Sequence, residues 1–203
     1  LGYITFQMLD WGIKILGRKQ QSLNTKYHLT DTLMKYLGLI IFAMSFSFNQ
    51  KVIAKDSHRV SLGIGQFNFM EDGTPPHKDQ SQMLNLEVYS NRKLFNLVKP
   101  FAGFLGTTST TYYAYGGFAI DGYYGEKKNI LLTPAIACGF YKDGSEIKAG
   151  NPLEFYIGID LFYRFRNNVR VGMGIFHISN ADSGYRNPGS ETLLLKYQIP
   201  FGN

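Results

Sequence analysis

Across Leu153-Glu154-Phe155-Tyr156-Ile157-Gly158-Ile159-Asp160-Leu161-Phe162-Tyr163-Arg164-Phe165, side-chain character alternates without a break. Leu153, Phe155, Ile157, Ile159, Leu161, Tyr163 and Phe165 share one parity; Glu154, Tyr156, Gly158, Asp160, Phe162 and Arg164 share the other. Successive side chains of a strand point to opposite faces, so the pattern is one strand with an apolar side and a more polar side. A helix, with its period of 3.6, would mix the two sets. The run exceeds the five or six residues of a common soluble strand and suits a tilted strand crossing a bilayer, which takes about 9–11 residues.

The same scheme continues on both sides. After Asn167-Asn168, Val169, Val171, Met173 and Ile175 alternate with Arg170, Gly172, Gly174 and Phe176. In Leu193–Phe201, Leu193, Leu195, Tyr197, Ile199 and Phe201 alternate with Leu194, Lys196, Gln198 and Pro200. Weaker segments lie at Arg59–Met70, Gln82–Ser90, Lys99–Thr108, Tyr112–Tyr123 and Ile130–Tyr141, which makes eight. An even number of such strands predicts an all-β fold, an eight-stranded antiparallel transmembrane β-barrel. Closure pairs every backbone group, as a bilayer requires. Glu154, Asp160, Arg164 and Arg170 would then fill the lumen with charge pairs. A soluble periplasmic sandwich or a lipocalin-like barrel, apolar face inward, would show the same alternation. The small Gly158, Gly172 and Gly174 on the polar face favour a tight polar interior and a lipid-facing aliphatic wall.

The chain has 203 residues, of which 44% are hydrophobic and 18% charged, with one Cys and a net charge of +6. Cys138 alone excludes a disulfide scaffold and a cysteine zinc cluster. Six of the Lys/Arg and two of the Asp/Glu fall within residues 1–54, so the remainder carries only +2. With no basic stripe there, no nucleic-acid partner is expected.

The uneven charge belongs to a leader. Residues 34–54 offer Lys35, an apolar core from Tyr36 to Phe48 and a small-residue site at Val52-Ile53-Ala54, the pattern of a signal peptide. Its competitor is a buried core helix. Residues 1–33, which begin with Leu, lie upstream of a plausible start at Met34 and are read either as an extension or as sequence ahead of the true start; they are set apart from the fold, and the mature barrel is expected over 55–203. Export places the protein beyond the cytoplasmic membrane. Trp11 lies in the extension, so Phe and Tyr must supply any interfacial girdle.

On the apolar parity of 169–175, the next outward positions are His177 and Ser179. Residues i and i+2 of a strand share a face with Cα atoms roughly 6.5–7 Å apart. Glu191 shares the parity of Leu193, Leu195 and Tyr197; if Asn180–Ser190 is a hairpin loop, Glu191 lies beside both. Ser, His and a carboxylate on one patch can perform acyl transfer. The imidazole takes the hydroxyl proton and the carboxylate fixes the tautomer. An interfacial His acting only as an anchor is the competing reading.

The wording of this region adds a resemblance. Phe176-His177-Ile178-Ser179-Asn180-Ala181, then Arg186-Asn187-Pro188-Gly189-Ser190-Glu191-Thr192 and Tyr197-Gln198-Ile199-Pro200-Phe201, resembles the PagL-type lipid A 3-O-deacylase family of Gram-negative outer membranes. That family shows His-x-Ser-Asn followed by Asn-Pro-Gly-x-Glu, with its Glu fourteen residues after the His, the spacing of His177 and Glu191. The resemblance implies an outer-membrane serine esterase that removes the 3-hydroxyacyl chain at position 3 of lipid A. It implies Ser179 as nucleophile, His177 as general base, Glu191 as its orienting partner and Asn180 as an oxyanion donor. The family's second donor, a Gly two residues after that Asn, is Asp182 here.

A nucleophile on the outer wall would meet a lipid lying against that wall, which makes lipopolysaccharide of the outer leaflet the expected partner. Its phosphates would favour a cation nearby, with Arg186 the candidate for substrate binding. No cofactor or metal is expected, because only His58, His77 and His177 remain after residue 54 and none clusters with another. Two readings compete with the esterase: a non-enzymatic small outer-membrane barrel, adhesin-like or a degenerate deacylase, with Tyr112–Tyr115 and Tyr123-Tyr124 as aromatic loop tips, and a soluble periplasmic lipid-binding barrel.

Overall fold

The computed structural model describes residues 57–70 and 79–202. The upstream extension over 1–33 and the signal peptide expected over 34–54 lie outside the described residues. Nine strand segments follow one another: β1 (His58–Phe67), β2 (Ser81–Tyr89), β3 (Val98–Thr107), β4 (Tyr112–Ile120), β5 (Gly122–Tyr124), β6 (Ile130–Lys142), β7 (Leu153–Arg164), β8 (Arg170–Ser179) and β9 (Ser190–Phe201). β4 and β5 are two parts of one stave interrupted at Asp121, since both pair with β6. Sequence neighbours pair antiparallel all the way round, and β1 closes the ring on β9. The result is a closed eight-stranded barrel.

Faces follow the alternation. In β2, Ser81, Met83, Asn85, Glu87 and Tyr89 are buried while Gln82, Leu84, Leu86 and Val88 are exposed. Apart from Gln82 near the strand end, the exposed residues are apolar, here and on other strands: Leu84 is 68% exposed, Ile64 59% and Phe140 74%. A wall of this composition is stable against hydrocarbon and unstable against water, which removes the inverted soluble arrangements. Tyr113, Tyr115 and Tyr123 are buried, so these residues are interior staves and not aromatic loop tips; Tyr112 and Tyr124 remain partly exposed.

The lumen is filled. Asp121 Oδ2 lies 2.6 Å from Lys99 Nζ and 2.9 Å from Arg170 Nη2, which explains why the stave breaks there: the side chain is shared by two cations. Above it, Lys196 Nζ lies 2.8 Å from Glu87 Oε2 and 2.7 Å from Asp160 Oδ2. Tyr89 and Tyr115 hydroxyls donate to the other lone pairs of Glu87. Buried charges persist only when paired and hydrogen-bonded, and each of these is paired. An aromatic layer follows, with Tyr113 stacked on Tyr115, Tyr115 on Tyr156 and Tyr156 against Phe176. Two of the expected lumen charges differ: the Arg164 guanidinium lies 5.1 Å from the Tyr123 ring centre, and Glu154 is buried with its Oε1 lacking a hydrogen-bond partner among the described residues.

The connections 68–80, 143–152 and 180–189 share one end of the barrel and are its longest. Long loops mark the extracellular end of an outer-membrane barrel and short turns the periplasmic end. Loop 143–152 folds into the mouth. Glu146 is buried there and accepts hydrogen bonds from Ser81 Oγ at 2.6 Å, Thr111 Oγ1 at 2.8 Å and Thr107 Oγ1. Burial by itself would raise the Glu146 pKa, but the donors from Ser81, Thr107, its own backbone and Thr111 outweigh it and hold the carboxyl below its ordinary value.

Candidate active site

β8 and β9 carry the expected residues to the loop-rich end. Their register sets His177 opposite Glu191 and Ile178 opposite Ser190; on the other flank Ile157 faces His177 and Phe155 faces Ser179. His177 Nδ1 and Glu191 Oε1 are 3.1 Å apart, and the two side chains are 17% and 12% exposed. With its proton on Nδ1, the imidazole donates to the carboxylate and leaves Nε2 as the basic nitrogen. Cross-strand pairing therefore builds the His–Glu half of the constellation directly from alternation.

Ser179 stands on the same face two residues beyond His177, at the end of β8 and beside the lipid-facing Phe155. Among the described residues its hydroxyl makes no hydrogen bond to the imidazole. Catalytic hydrogen bonds in substrate-free sites are commonly long and tighten on binding. The geometry thus brings together His177 and Glu191 in contact, with Ser179 adjacent.

Asn180 is placed differently from the role implied for it. It continues the inward parity of Phe176 and Ile178 and is fully buried. Its Nδ2 donates to the carbonyls of Ala149 at 2.9 Å and Arg186 at 2.8 Å, which commits both amide hydrogens. Its backbone N–H donates to Asn187 Oδ1 at 3.0 Å. The residue implied as an oxyanion donor thus has its side-chain amide and its backbone N–H both engaged in closing the loop. The parity of the sequence already pointed this residue inward, opposite to Ser179.

Loop 180–189 is held from within. Ser183 N–H and Oγ donate to the Asn180 carbonyl, and Asn187 Nδ2 donates to Asp182 Oδ1 at 3.2 Å. Asp182 has φ 62° and Ala181 φ 52°, so position 182 takes the left-handed backbone that glycine adopts without strain, and Asp is among the residues that tolerate it. Arg186 is half-buried at the rim, with its side chain over Gly150. Among the described residues no group of three or more His, Cys, Asp or Glu could hold a metal ion.

A closed barrel with an apolar outer wall and a charge-filled lumen is an outer-membrane β-barrel. Residues 78–200 match the family described as Lipid A 3-O-deacylase (PagL), and the chain belongs to that family. In fold it is similar to the crystal structure of the outer membrane enzyme PagL, with a TM-score of 0.52 and 19% identity over 70% of this chain and 99% of that one. It is also similar to Neisserial surface protein A (NspA), with a TM-score of 0.49 and 8% identity over 71% of this chain and 97% of that one. No curated protein sequence matches it.

Proposed function

We propose that this protein is a serine esterase of the outer membrane that hydrolyses the ester-linked 3-hydroxyacyl chain at position 3 of lipid A. The observation that carries the reading is the hydrogen-bonded His177–Glu191 pair beside Ser179 on the outward face. The nucleophile is thereby open to a lipid and shielded from the lumen. The preference for position 3 rests on family membership alone.

Lipid A lies with its acyl chains along the wall of Phe155, Leu153 and Leu193 and its headgroup at the loops. Ser179 Oγ attacks the ester carbonyl while His177 Nε2 takes the hydroxyl proton, and Glu191 stabilises the imidazolium through Nδ1. The tetrahedral intermediate expels the sugar 3-hydroxyl, which receives that proton from His177. Water, deprotonated by the same imidazole, then attacks the acyl-serine ester, and Ser179 leaves with its proton restored. The products are a free 3-hydroxy fatty acid and 3-O-deacylated lipid A. The apolar surround of Phe155 and Ile157 keeps the local dielectric low, which strengthens each of these charge interactions.

The test is lipid A mass spectrometry in a Gram-negative host producing the protein or its Ser179→Ala variant. Loss of one 3-hydroxyacyl mass with the parent, and intact lipid A with the variant, is expected. Equal loss in both would overturn the assignment.

A further inference from the structure

We infer that Gly189 is a positioning residue for this hydrolysis: its backbone is seated against the His177 imidazole and holds the ring in the orientation that bonds Glu191. The inference rests on the proposed function, and its observations are geometric. Gly189 has φ 65°. A Cβ built on it would lie 2.6 Å from His177 Cε1, 3.3 Å from Nε2 and 3.7 Å from Nδ1. The backbone thus approaches the ring at the carbon between its two nitrogens. Glu191 holds the ring at Nδ1 and Gly189 stops it at Cε1, so two neighbouring corners of the imidazole are fixed by the last loop residue and the start of β9.

The seat is built into the chain on both sides. Before it, Asn180 grips the Arg186 carbonyl and Asn187 Oδ1 accepts from the Asn180 N–H, which ties the loop shut just upstream of Gly189. After it, Ser190 enters the ladder opposite Ile178 and Glu191 opposite His177. Gly189 therefore cannot slide away from the ring without breaking ladder or loop bonds. Carbon–carbon contacts settle at roughly 3.5–4.0 Å, so a side chain at 189 would force the imidazole back by about 1 Å. A misplacement of that size costs on the order of 100-fold in rate.

The experiment uses the purified barrel in detergent, with lipid A as substrate, and the variants Gly189→Ala, Gly189→Asn and Gly125→Ala. Asn tolerates a left-handed backbone yet carries a Cβ, so Gly189→Asn separates the contact from backbone strain. Gly125 has φ 78° and lies in the turn at the opposite end, so its variant carries the strain without the contact. Both Gly189 variants are expected to keep heat-modifiable migration and lose about 100-fold in kcat with KM within about threefold. Gly125→Ala is expected to match the parent. In the parent, a nuclear Overhauser contact between the His177 Cε1 proton and the Gly189 α-protons is expected. Gly189 variants within about threefold of parental kcat, or absence of that contact in the parent, overturn the inference. A parent that shows the contact but leaves lipid A intact overturns the proposed function instead.

Discussion

Asn180 and Ala149 stand 31 residues apart in sequence and are joined by a 2.9 Å hydrogen bond from the Asn180 carboxamide to the Ala149 carbonyl. The bond links the loop that follows Ser179 to the loop that plugs the barrel mouth. With the second bond to Arg186, one side chain fixes the approach of loop 180–189 to the site.

Replacing Asn180 by Ala strands two backbone carbonyls at a buried position. Each lost bond of this kind costs about 1–3 kcal/mol. The variant is expected to unfold at lower urea concentration, read as the loss of heat-modifiable migration, and to lose lipid A turnover. Full activity at unchanged stability would show that the loop does not depend on Asn180.

Glu191 acts through His177. Glu191→Gln keeps the shape but removes the charge that stabilises imidazolium, and kcat is expected to fall by about 10³–10⁴-fold, as for comparable triads. Because the three residues act as a unit, the double variant His177→Ala/Ser179→Ala is expected to be no slower than the slower single variant. Additive losses in steady-state kinetics would mean the residues act separately.

Glu146 gives the mouth plug a pH dependence of defined sign. Its folded pKa lies below the ordinary value, so its stabilisation is complete above the unfolded value of about 4.3 and is lost as pH falls through the lower folded value. The urea midpoint of the parent is expected to hold from neutral pH to about 5 and to drop in more acid solution. Glu146→Gln is expected to start lower and to lack that part of the drop. An identical pH profile for the two proteins would remove Glu146 as its cause.

The lipid wall can be probed at Ile136, which is 55% exposed in the middle of β6. An Arg at the bilayer midplane of a barrel costs about 2–4 kcal/mol, and less towards the interfaces. Ile136→Arg is therefore expected to destabilise the barrel in lipid vesicles more than Tyr163→Arg near the strand end. Equal effects, measured by urea titration in the same vesicles, would contradict the assigned depth.

Alternation made the barrel legible, because each stave writes its two faces into adjacent residues. β7 begins at Leu153 as read and β9 ends at Phe201 as read. His177, Ser179 and Glu191 were found by carrying that alternation past the apolar stripe, and the ladder register sets the first and last opposite each other. Tyr112–Tyr123 read as one strand because the break at Asp121 arises from Lys99 and Arg170, 22 and 49 residues away. Asn180 carries the inward parity of Phe176 and Ile178, and that parity leads its side chain to the Ala149 and Arg186 carbonyls. The plug at Glu146 and the seat at Gly189 were not legible. Their partners are distant in sequence or lie beneath a turn, and neither relation leaves a periodic trace.

The paired charges of the lumen have a consequence for the cell. Lys99, Asp121 and Arg170 at one level and Glu87, Asp160 and Lys196 at the next occupy the bore with buried side chains, and the Glu146 plug lies above them. A stave cylinder obstructed at three heights offers ions no wetted route, so many copies can accumulate in an outer membrane without raising its conductance.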